Sequence, residues 1–188
     1  MGKSTATASG ATRGRRPKGQ GPDLREAILN AAEELFSRHG FYGVTVRQVA
    51  AEAGVDTALI HYYFGAKREL FDAVFARRAE ILNRERLEAM AAYQAAHPHD
   101  LKVEGVIEAF IGPLLDRSLT QDPGWKNYFR LVALVNNTPA WGGETMHRFF
   151  EPVVHRLIDT LKAALPEAEI DDLYWCYHFM SGAMTLTF

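Results

Sequence analysis

The sequence predicts an all-α protein, and three observations support this fold class. The chain has 188 residues, of which 47% are hydrophobic and 23% are charged, as in globular proteins. From about residue 23 onwards, apolar residues recur three and four positions apart, which is the spacing of one helix face. No segment alternates apolar and polar residues for long enough to predict a strand. The expected fold is therefore a set of helices packed around one core or two small ones.

Four helices are predicted in the first half of the chain, and start and stop signals bound them. Asp23 can cap the first helix, which Gly40 ends. Thr45 can cap a short second helix, which Gly54 ends. The predicted segments run from Asp23 to Gly40, from Val46 to Ala53, from Asp56 or Thr57 to about Tyr63, and from Lys67 to about Ala95.

Proline residues separate the helices predicted in the second half. Pro123, Pro139 and Pro166 fall between apolar patterns, and Gly112-Pro113 is expected to kink or split the first of these helices. The last pattern reaches Phe188 without a Gly, Asn or Pro to stop it, which leaves room for a natural chain that continues. The predicted segments run from Leu101 to Leu119, from Trp125 to Asn136, from about Gly143 to Leu165, and from Ile170 onwards.

The composition excludes several classes of protein. The longest apolar run, Leu131 to Val135, is far shorter than the roughly 20 residues of a membrane span. The first residues contain no apolar segment typical of a secretory signal, so we expect a cytoplasmic protein with no membrane partner. Cys176 is the only cysteine, which excludes an intrachain disulfide and any zinc site with two thiolates.

Charge is distributed unevenly along the chain. Residues 1–72 carry ten Lys and Arg against eight Asp and Glu, whereas residues 73–188 carry eleven against fifteen. The first 21 residues contain no acidic residue and no apolar face, which predicts a disordered basic arm over residues 1–22. Such an arm either binds a polyanion or acts as a solubilising terminus. Its cationic side chains nearest the first helix are Arg13, Arg15, Arg16 and Lys18.

The second and third helices have the spacing of a helix-turn-helix. Ala50 is small enough for two helices to cross closely, and Gly54 can adopt the positive φ of a tight link. Val49, Val55 and Ile60 can lock the pair together. The exposed face of the third helix offers short polar groups and then flat rings, which suits a helix whose first residues enter the major groove of DNA.

These segments resemble a known family. The sequence TVRQVAAEAGVDTALIHYYFGAKRELF (residues 45–71), preceded by ILNAAEELFSRHGFYG (residues 28–43), is similar to the DNA-binding domain of the TetR family of transcriptional regulators. The resemblance covers roughly residues 24–75. It implies a homodimer whose N-terminal domains bind a palindromic double-stranded DNA operator and whose C-terminal domains bind a small-molecule effector. The implied domains are residues 1–22, 23–72 and 73–188.

The family's DNA contacts can be transferred position by position. The resemblance implies that Thr57 and Ala58 face bases, and that Thr45 and Arg47 contact phosphate and sometimes a base edge. It implies phosphate contacts for the other matched positions. His61 departs from the pattern, because tyrosine is commoner there, so its contact is less specific. An arginine-rich arm that enters the minor groove also fits the family. The matched positions are Thr45, Arg47, Thr57, Ala58, His61, Tyr62 and Lys67.

The aromatic residues after Trp125 exceed what a helical bundle needs for packing, which predicts an apolar effector cavity. Packing in the core and the dimer interface is the alternative for each of them. This region resembles the fatty-acid-responsive members of the family, so the expected effector is an elongated apolar molecule with one polar end, such as a fatty acid or an acyl-CoA. The candidate ligand-binding residues are Trp125, Phe129, Asn137, Trp141, His147, Phe150, Trp175 and His178.

A second apolar pattern predicts the dimer interface. Phe149, Val153 and Leu157 recur at i, i+4 and i+8, and we expect them to form one stripe with Phe179 and Ala183 of the last helix.

Enzymatic and metal-dependent functions have little support in the sequence. His97 and His99 lack a third ligand at a defined spacing, and no Gly-rich phosphate loop or nucleophile elbow is present. We therefore expect no catalytic residues, no metal and no cofactor. The preferred function is a repressor that an effector releases from DNA. An activator of the same family, or an enzyme or protein-interaction module that carries a helix-turn-helix, remains the alternative.

Overall fold

The computed structural model describes residues 23–138 and 141–187, and these residues form eight α-helices and no strand. This confirms the predicted fold class. The predicted arm, with Arg13, Arg15, Arg16 and Lys18, lies outside the described residues. The helices are α1 (Leu24–His39), α2 (Val46–Ala53), α3 (Thr57–Phe64), α4 (Lys67–Ala96), α5 (Val103–Ser118), α6 (Pro123–Asn136), α7 (Gly142–Ala164) and α8 (Ile170–Thr187).

Local signals place the first helices where they were predicted. The Asp23 carboxylate accepts hydrogen bonds from two backbone N–H groups of α1. Thr45 and Gln48 form a reciprocal capping box at α2, and the Asp56 carboxylate accepts from the N–H of Ala58 at 2.7 Å. Gly54, with φ 65° and ψ 35°, ends α2 in the left-handed conformation that glycine adopts without steric cost.

The helices α1 to α3 pack with the start of α4 into a small N-terminal unit, which we call the head. Its core side chains are almost fully buried on all four helices. The predicted contacts Val49, Ala50 and Ile60 lie in this core, and Val55 packs against it. The head therefore forms a rigid base that holds the exposed side of α3 in place.

The helices α5 to α8 pack around the C-terminal part of α4 and form the body. The helix α4 has 30 residues and belongs to both units. Gly112-Pro113 does not split the helix, since α5 continues through Pro113. Pro123 occupies the first turn of α6, where a missing N–H costs nothing, and the Asp122 carboxylate accepts from the N–H of Gly124.

No helix within residues 23–138 and 141–187 is both long and apolar enough to cross a membrane.

Candidate DNA interface and central cavity

Most of the described residues that are predicted to bind DNA are exposed on the head. Ile60 and Phe64 of α3 are buried, whereas Ala58, His61 and Tyr62 are exposed on the same helix. Tyr62 is 80% exposed, which is unusual for an aromatic side chain without a partner surface. Thr57 is half-buried, and Thr45 and Arg47 are exposed at the start of α2.

The backbone orients the His61 ring. Its Nδ1 atom lies 2.8 Å from the carbonyl oxygen of Gly65. Because a carbonyl can only accept, Nδ1 carries a hydrogen and donates to it. The other ring nitrogen, Nε2, remains available for a partner on the exposed side.

Lys67 opens α4 beside an uncapped helix end. Its Nζ atom lies 4.4 Å from the centre of the Phe41 ring, and partial burial lowers the pKa of the ammonium. Ala66, at the N-cap, makes no side-chain hydrogen bond to the first turn. The free N–H groups of that turn and the nearby ammonium together form a site that suits a phosphate.

A buried charge cluster joins the head to the body. Glu33 of α1 is 4% exposed, and its carboxylate accepts from both Arg77 and Arg78 of α4. Arg78 also donates to Asp122, at the start of α6, with 2.9 Å between Nη1 and Oδ2. We call these four residues the head–body joint. Every charged group in it has a partner of opposite charge, so the contact between α1, α4 and α6 is specific.

Two of the predicted ligand-binding residues lie at the boundary between head and body. The guanidinium carbons of Arg78 and Arg117 lie 5.1 Å and 4.9 Å from the centre of the Trp125 ring. The guanidinium carbon of Arg68 lies 4.4 Å from the centre of the Trp141 ring. The indole Nε1–H of Trp141 donates to the hydroxyl of Tyr42. Neither tryptophan lines the central cavity described next. Both rings therefore pack at the boundary between head and body, and a role for them in ligand binding stays a prediction.

A central cavity of about 50 Å³ lies inside the body, between α4, α5, α6, α7 and α8. The predicted ligand residues Phe129 and Phe150 line it. Its volume holds only a few water molecules, so it is smaller than the aromatic content suggested. Other apolar lining residues are Leu82, Phe110, Leu114 and Val132.

The polar groups of this cavity differ from those predicted. Arg86, which is 3% exposed, and Tyr128, which is 1% exposed, both line it. The Nε atom of Arg86 donates to the carbonyl oxygen of Phe110 at 3.1 Å. Sequence reasoning missed Arg86, although a signal exists. Leu82, Arg86 and Met90 are four residues apart, so a charged residue interrupts the buried stripe of α4.

The remaining predicted ligand residues lie outside the central cavity. The Asn137 amide donates to the carbonyl of Ala133 at the end of α6. The Nε2 atom of His147 lies 3.3 Å from a carboxylate oxygen of Glu151. Together with His178, His147 lines a groove that adjoins the central cavity, since Phe150 and Tyr177 line both. Trp175 is 62% exposed. None of these four residues lines the central cavity itself, and a role for them in ligand binding stays a prediction.

The predicted dimer stripe divides into a buried part and an exposed part. Val153 and Leu157 are 1% and 0% exposed, so they belong to the core of the protomer and cannot offer their side chains to a second copy. Phe149 is half-buried and its ring packs 5.2 Å from that of Phe75. On α8, Phe179 is 74% exposed and Ala183 is also exposed. Of this predicted stripe, the exposed apolar side chains thus lie on α8.

Comparison with known proteins agrees with the fold and with the head. Residues 28–74 match the family model "Bacterial regulatory proteins, tetR family", and residues 108–188 match "Tetracyclin repressor-like, C-terminal domain". The regulator BetI of Rhizobium meliloti is 35% identical over 89 residues, which are 47% of this chain and 42% of that protein. The regulator HbdR of Aromatoleum sp. is 48% identical over 48 residues, which are 26% of this chain and 21% of that protein. The chain thus spans less than half the length of these curated relatives.

Solved structures share the fold at low sequence identity. The fatty acid degradation regulator FadR of Bacillus halodurans has a TM-score of 0.63 at 15% identity, with 89% of this chain and 85% of that chain covered. SmeT, the repressor of a multidrug efflux pump of Stenotrophomonas maltophilia, has a TM-score of 0.63 at 18% identity, with 85% and 76% covered. The relatives named here are transcriptional regulators rather than enzymes. Because the two family models together match more than half of the chain, the protein belongs to the TetR family of transcriptional regulators.

Proposed function

We propose that the protein is a cytoplasmic repressor that binds a palindromic operator as a homodimer and leaves it when a small apolar molecule enters the body. The observation that carries the DNA-binding part is the exposed side of α3 next to Lys67 and the uncapped start of α4. Polar, aromatic and cationic groups there share one surface, which is what a helix in the major groove and its flanking phosphate contacts require.

The contacts divide into those that read bases and those that position the protein. Thr57 and Ala58 open α3 and face the base edges, since the first residues of a recognition helix enter deepest. Thr45, Arg47, His61, Tyr62 and Lys67 surround them and contact phosphates. The arginines and the lysine of residues 1–22 add contacts to the minor groove.

The homodimer places two heads on one operator. The exposed apolar surface of α8, with Phe179 and Ala183, supports an isologous contact through this helix. Trp175 lies one helical turn before Phe179, with the ring centres 6.3 Å apart, so we assign it to the interface rather than to the effector. A dimer through α8 leaves both α3 surfaces free.

Release from DNA requires a ligand that binds one arrangement of the heads better than the other. The central cavity is the proposed effector site, because α4 lines it with Leu82 and Arg86 and the same helix begins in the head. A fatty acid or an acyl-CoA has the apolar body that the lining favours. The head–body joint then transmits the change to α3.

Selection of binding sites from a random DNA pool tests the proposal. The wild type is expected to enrich a palindrome, and Thr57→Ala is expected to change its preferred bases. Lys67→Ala is expected to weaken binding to every sequence and to reduce the slope of log affinity against log salt by about 0.9 for each phosphate that the protein no longer neutralises. Lys126→Ala, an exposed lysine on α6, is the matched control. Failure to enrich any palindrome contradicts the proposal, and a reporter gene behind the selected site distinguishes repression from activation.

A further inference from the structure

The central cavity contains a buried cation without a counter-charge. Among the described residues, no carboxylate lies within ion-pair distance of Arg86, and its two terminal nitrogens donate to no protein group. Within the same part of the chain, its polar contact is the bond from Nε to the Phe110 carbonyl, and the guanidinium lies 4.4 Å from the centre of the Phe110 ring. Burial lowers the pKa of Arg86, yet a guanidinium remains charged at neutral pH.

Other inward-facing arginines of the body and the joint are paired. Arg77 and Arg78 share the carboxylate of Glu33, and Arg117 forms a two-point contact with Glu85. Burial of a charge without a partner is costly, and proteins normally avoid it. Arg86 therefore differs from its neighbours in a way that packing does not explain.

A second polar group of the same cavity also lacks a partner. The hydroxyl of Tyr128 is buried and makes no hydrogen bond among the described residues. Burial raises the pKa of Tyr128, so the hydroxyl stays neutral and can donate. Tyr177 and Ser181 line the cavity beside it. One cation and several hydroxyl groups thus surround a space whose described lining includes no acid.

We propose that the effector is a monocarboxylate with an apolar body, bound through an ion pair with Arg86 and a hydrogen bond from Tyr128. This inference rests on the proposed use of the central cavity as the effector site. A carboxylate matches the fork of a guanidinium, and its single charge is neutralised by the single cation of the lining. A phosphate carries more charge than one arginine can balance in an apolar cavity, and a neutral ligand leaves Arg86 uncompensated. Of the two effectors named above, this inference therefore selects a fatty acid and excludes an acyl-CoA.

The cavity must expand around such a ligand. Its present volume of about 50 Å³ does not accommodate the apolar body. Met146 of α7 and Met184 of α8 line it, and methionine side chains rearrange easily because they are unbranched. The ligand is therefore expected to favour an expanded body over the one described, which is the differential binding that release from DNA needs.

Isothermal titration calorimetry on the full chain tests this inference with matched pairs of probes. The pairs are propionate and propan-1-ol, benzoate and benzyl alcohol, and octanoate and octan-1-ol. For the wild type, we expect at least one carboxylate to bind about tenfold or more tightly than its alcohol, the effect of a charge-assisted hydrogen bond. Arg86→Met should reduce that ratio to about one, and Tyr128→Phe should weaken the carboxylate severalfold. Arg84→Met, an exposed arginine on the same helix, should leave the ratio unchanged.

Two outcomes overturn the inference. One is that no pair shows a carboxylate preference in the wild type, and the other is that Arg86→Met keeps the preference. Circular dichroism checks that Arg86→Met is folded. If it is not, Arg86→Lys replaces it, and this variant should lose part of the preference because an ammonium lacks the planar fork.

The outcomes for the inference and for the proposed function are separable. If a carboxylate binds through Arg86 but does not release the selected operator, the ligand class stands and the release mechanism falls. If an uncharged compound releases the operator and no carboxylate preference exists, the regulator stands and the inference falls.

Discussion

The helix α4 contains two buried arginine sites that differ in how their charges are balanced. At the head–body joint, Arg77 and Arg78 surround Glu33, and Arg78 also pairs with Asp122. In the central cavity, two helical turns further along, Arg86 meets a carbonyl and an aromatic ring but no described carboxylate. The first site holds two parts of the protein together, whereas the second contains a charge without a counter-charge among the described residues.

The difference shows how a buried charge can be interpreted. A completed ion-pair cluster loses much of its energy when its most buried member is removed, because the charges that remain lose a partner inside the protein. For an isolated buried cation, the cost of burying an unpaired charge is already present in the native protein. Removal of that cation should therefore not lower the free energy of unfolding. Substitutions at the two sites should therefore have opposite effects on the stability of the free protein.

The largest effect is expected from Glu33→Gln. This change removes the charge that Arg77 and Arg78 share, and we expect the free energy of unfolding to fall by about 3–5 kcal/mol. Urea denaturation followed by circular dichroism measures it. Glu34→Gln is the control, since the ion pair of Glu34 with Arg38 is exposed and should contribute less than about 1 kcal/mol. Equal losses for the two variants would mean that the joint is not a buried cluster.

A smaller effect with the opposite sign is expected from Arg86→Met. An apolar side chain of similar length fits the lining of the cavity, so the free energy of unfolding should stay equal or rise by about 1 kcal/mol or more in the absence of ligand. The same denaturation series measures it. A loss of several kcal/mol would show that Arg86 stabilises the body through Phe110 and would remove the contrast between the two sites.

Tyr128→Phe is expected to change stability by less than about 1 kcal/mol, because the hydroxyl it removes has no hydrogen-bond partner among the described residues. Thermal unfolding without ligand provides the measurement. A clear destabilisation would indicate a partner for the hydroxyl within the protein, and the cavity would then offer one donor fewer.

The smallest effect concerns pH at the joint. Burial raises the pKa of Asp122, but the N–H of Gly124 and the guanidinium of Arg78 outweigh it, so the pKa lies below its ordinary value. The carboxylate therefore adds stability at pH values above about 4, and this contribution disappears as the pH falls further. The loss should be small, since the side chain is 48% exposed. In a series of urea denaturations from about pH 6 to about pH 3, the free energy of unfolding should fall less steeply with decreasing pH for Asp122→Asn than for the wild type. The same pH dependence in both proteins would mean that Asp122 does not contribute.

The head could be predicted from the sequence because its signals are local. Thr45, Asp56 and Gly54 each act within a few residues of their own position, and the structure has all three in the predicted roles. The exposed surface of α3 could also be predicted, because the buried side chains of Ile60 and Phe64 determine which side of the helix faces solvent.

The body could be predicted only in part because its contacts are distant in sequence. Trp125 and Trp141 are apolar enough for a cavity, but the arginines of α4 on which they stack, Arg78 and Arg68, lie far earlier in the chain. Val153 and Leu157 have the spacing of an interface and equally that of a core, and periodicity cannot separate the two. Arg86 was readable as an interruption of a buried stripe, but only its packing shows that no described acid pairs with it.

The length of α4 has a mechanical consequence. At about 1.5 Å per residue, the 30 residues of α4 form a helix about 45 Å long. Measured along its axis from Arg78 of the joint, Arg86 lies about 12 Å away in one direction and Lys67 about 16 Å away in the other. If α4 rotates as a rigid helix about the joint, a displacement of about 1 Å at the cavity moves the start of α4 by a similar or slightly larger distance in the opposite direction. In a two-fold dimer both heads move, so the change in their separation is doubled. In the dimer that we propose, a displacement of about 1 Å at the cavity would therefore change the separation of the two α4 starts by about 2–3 Å.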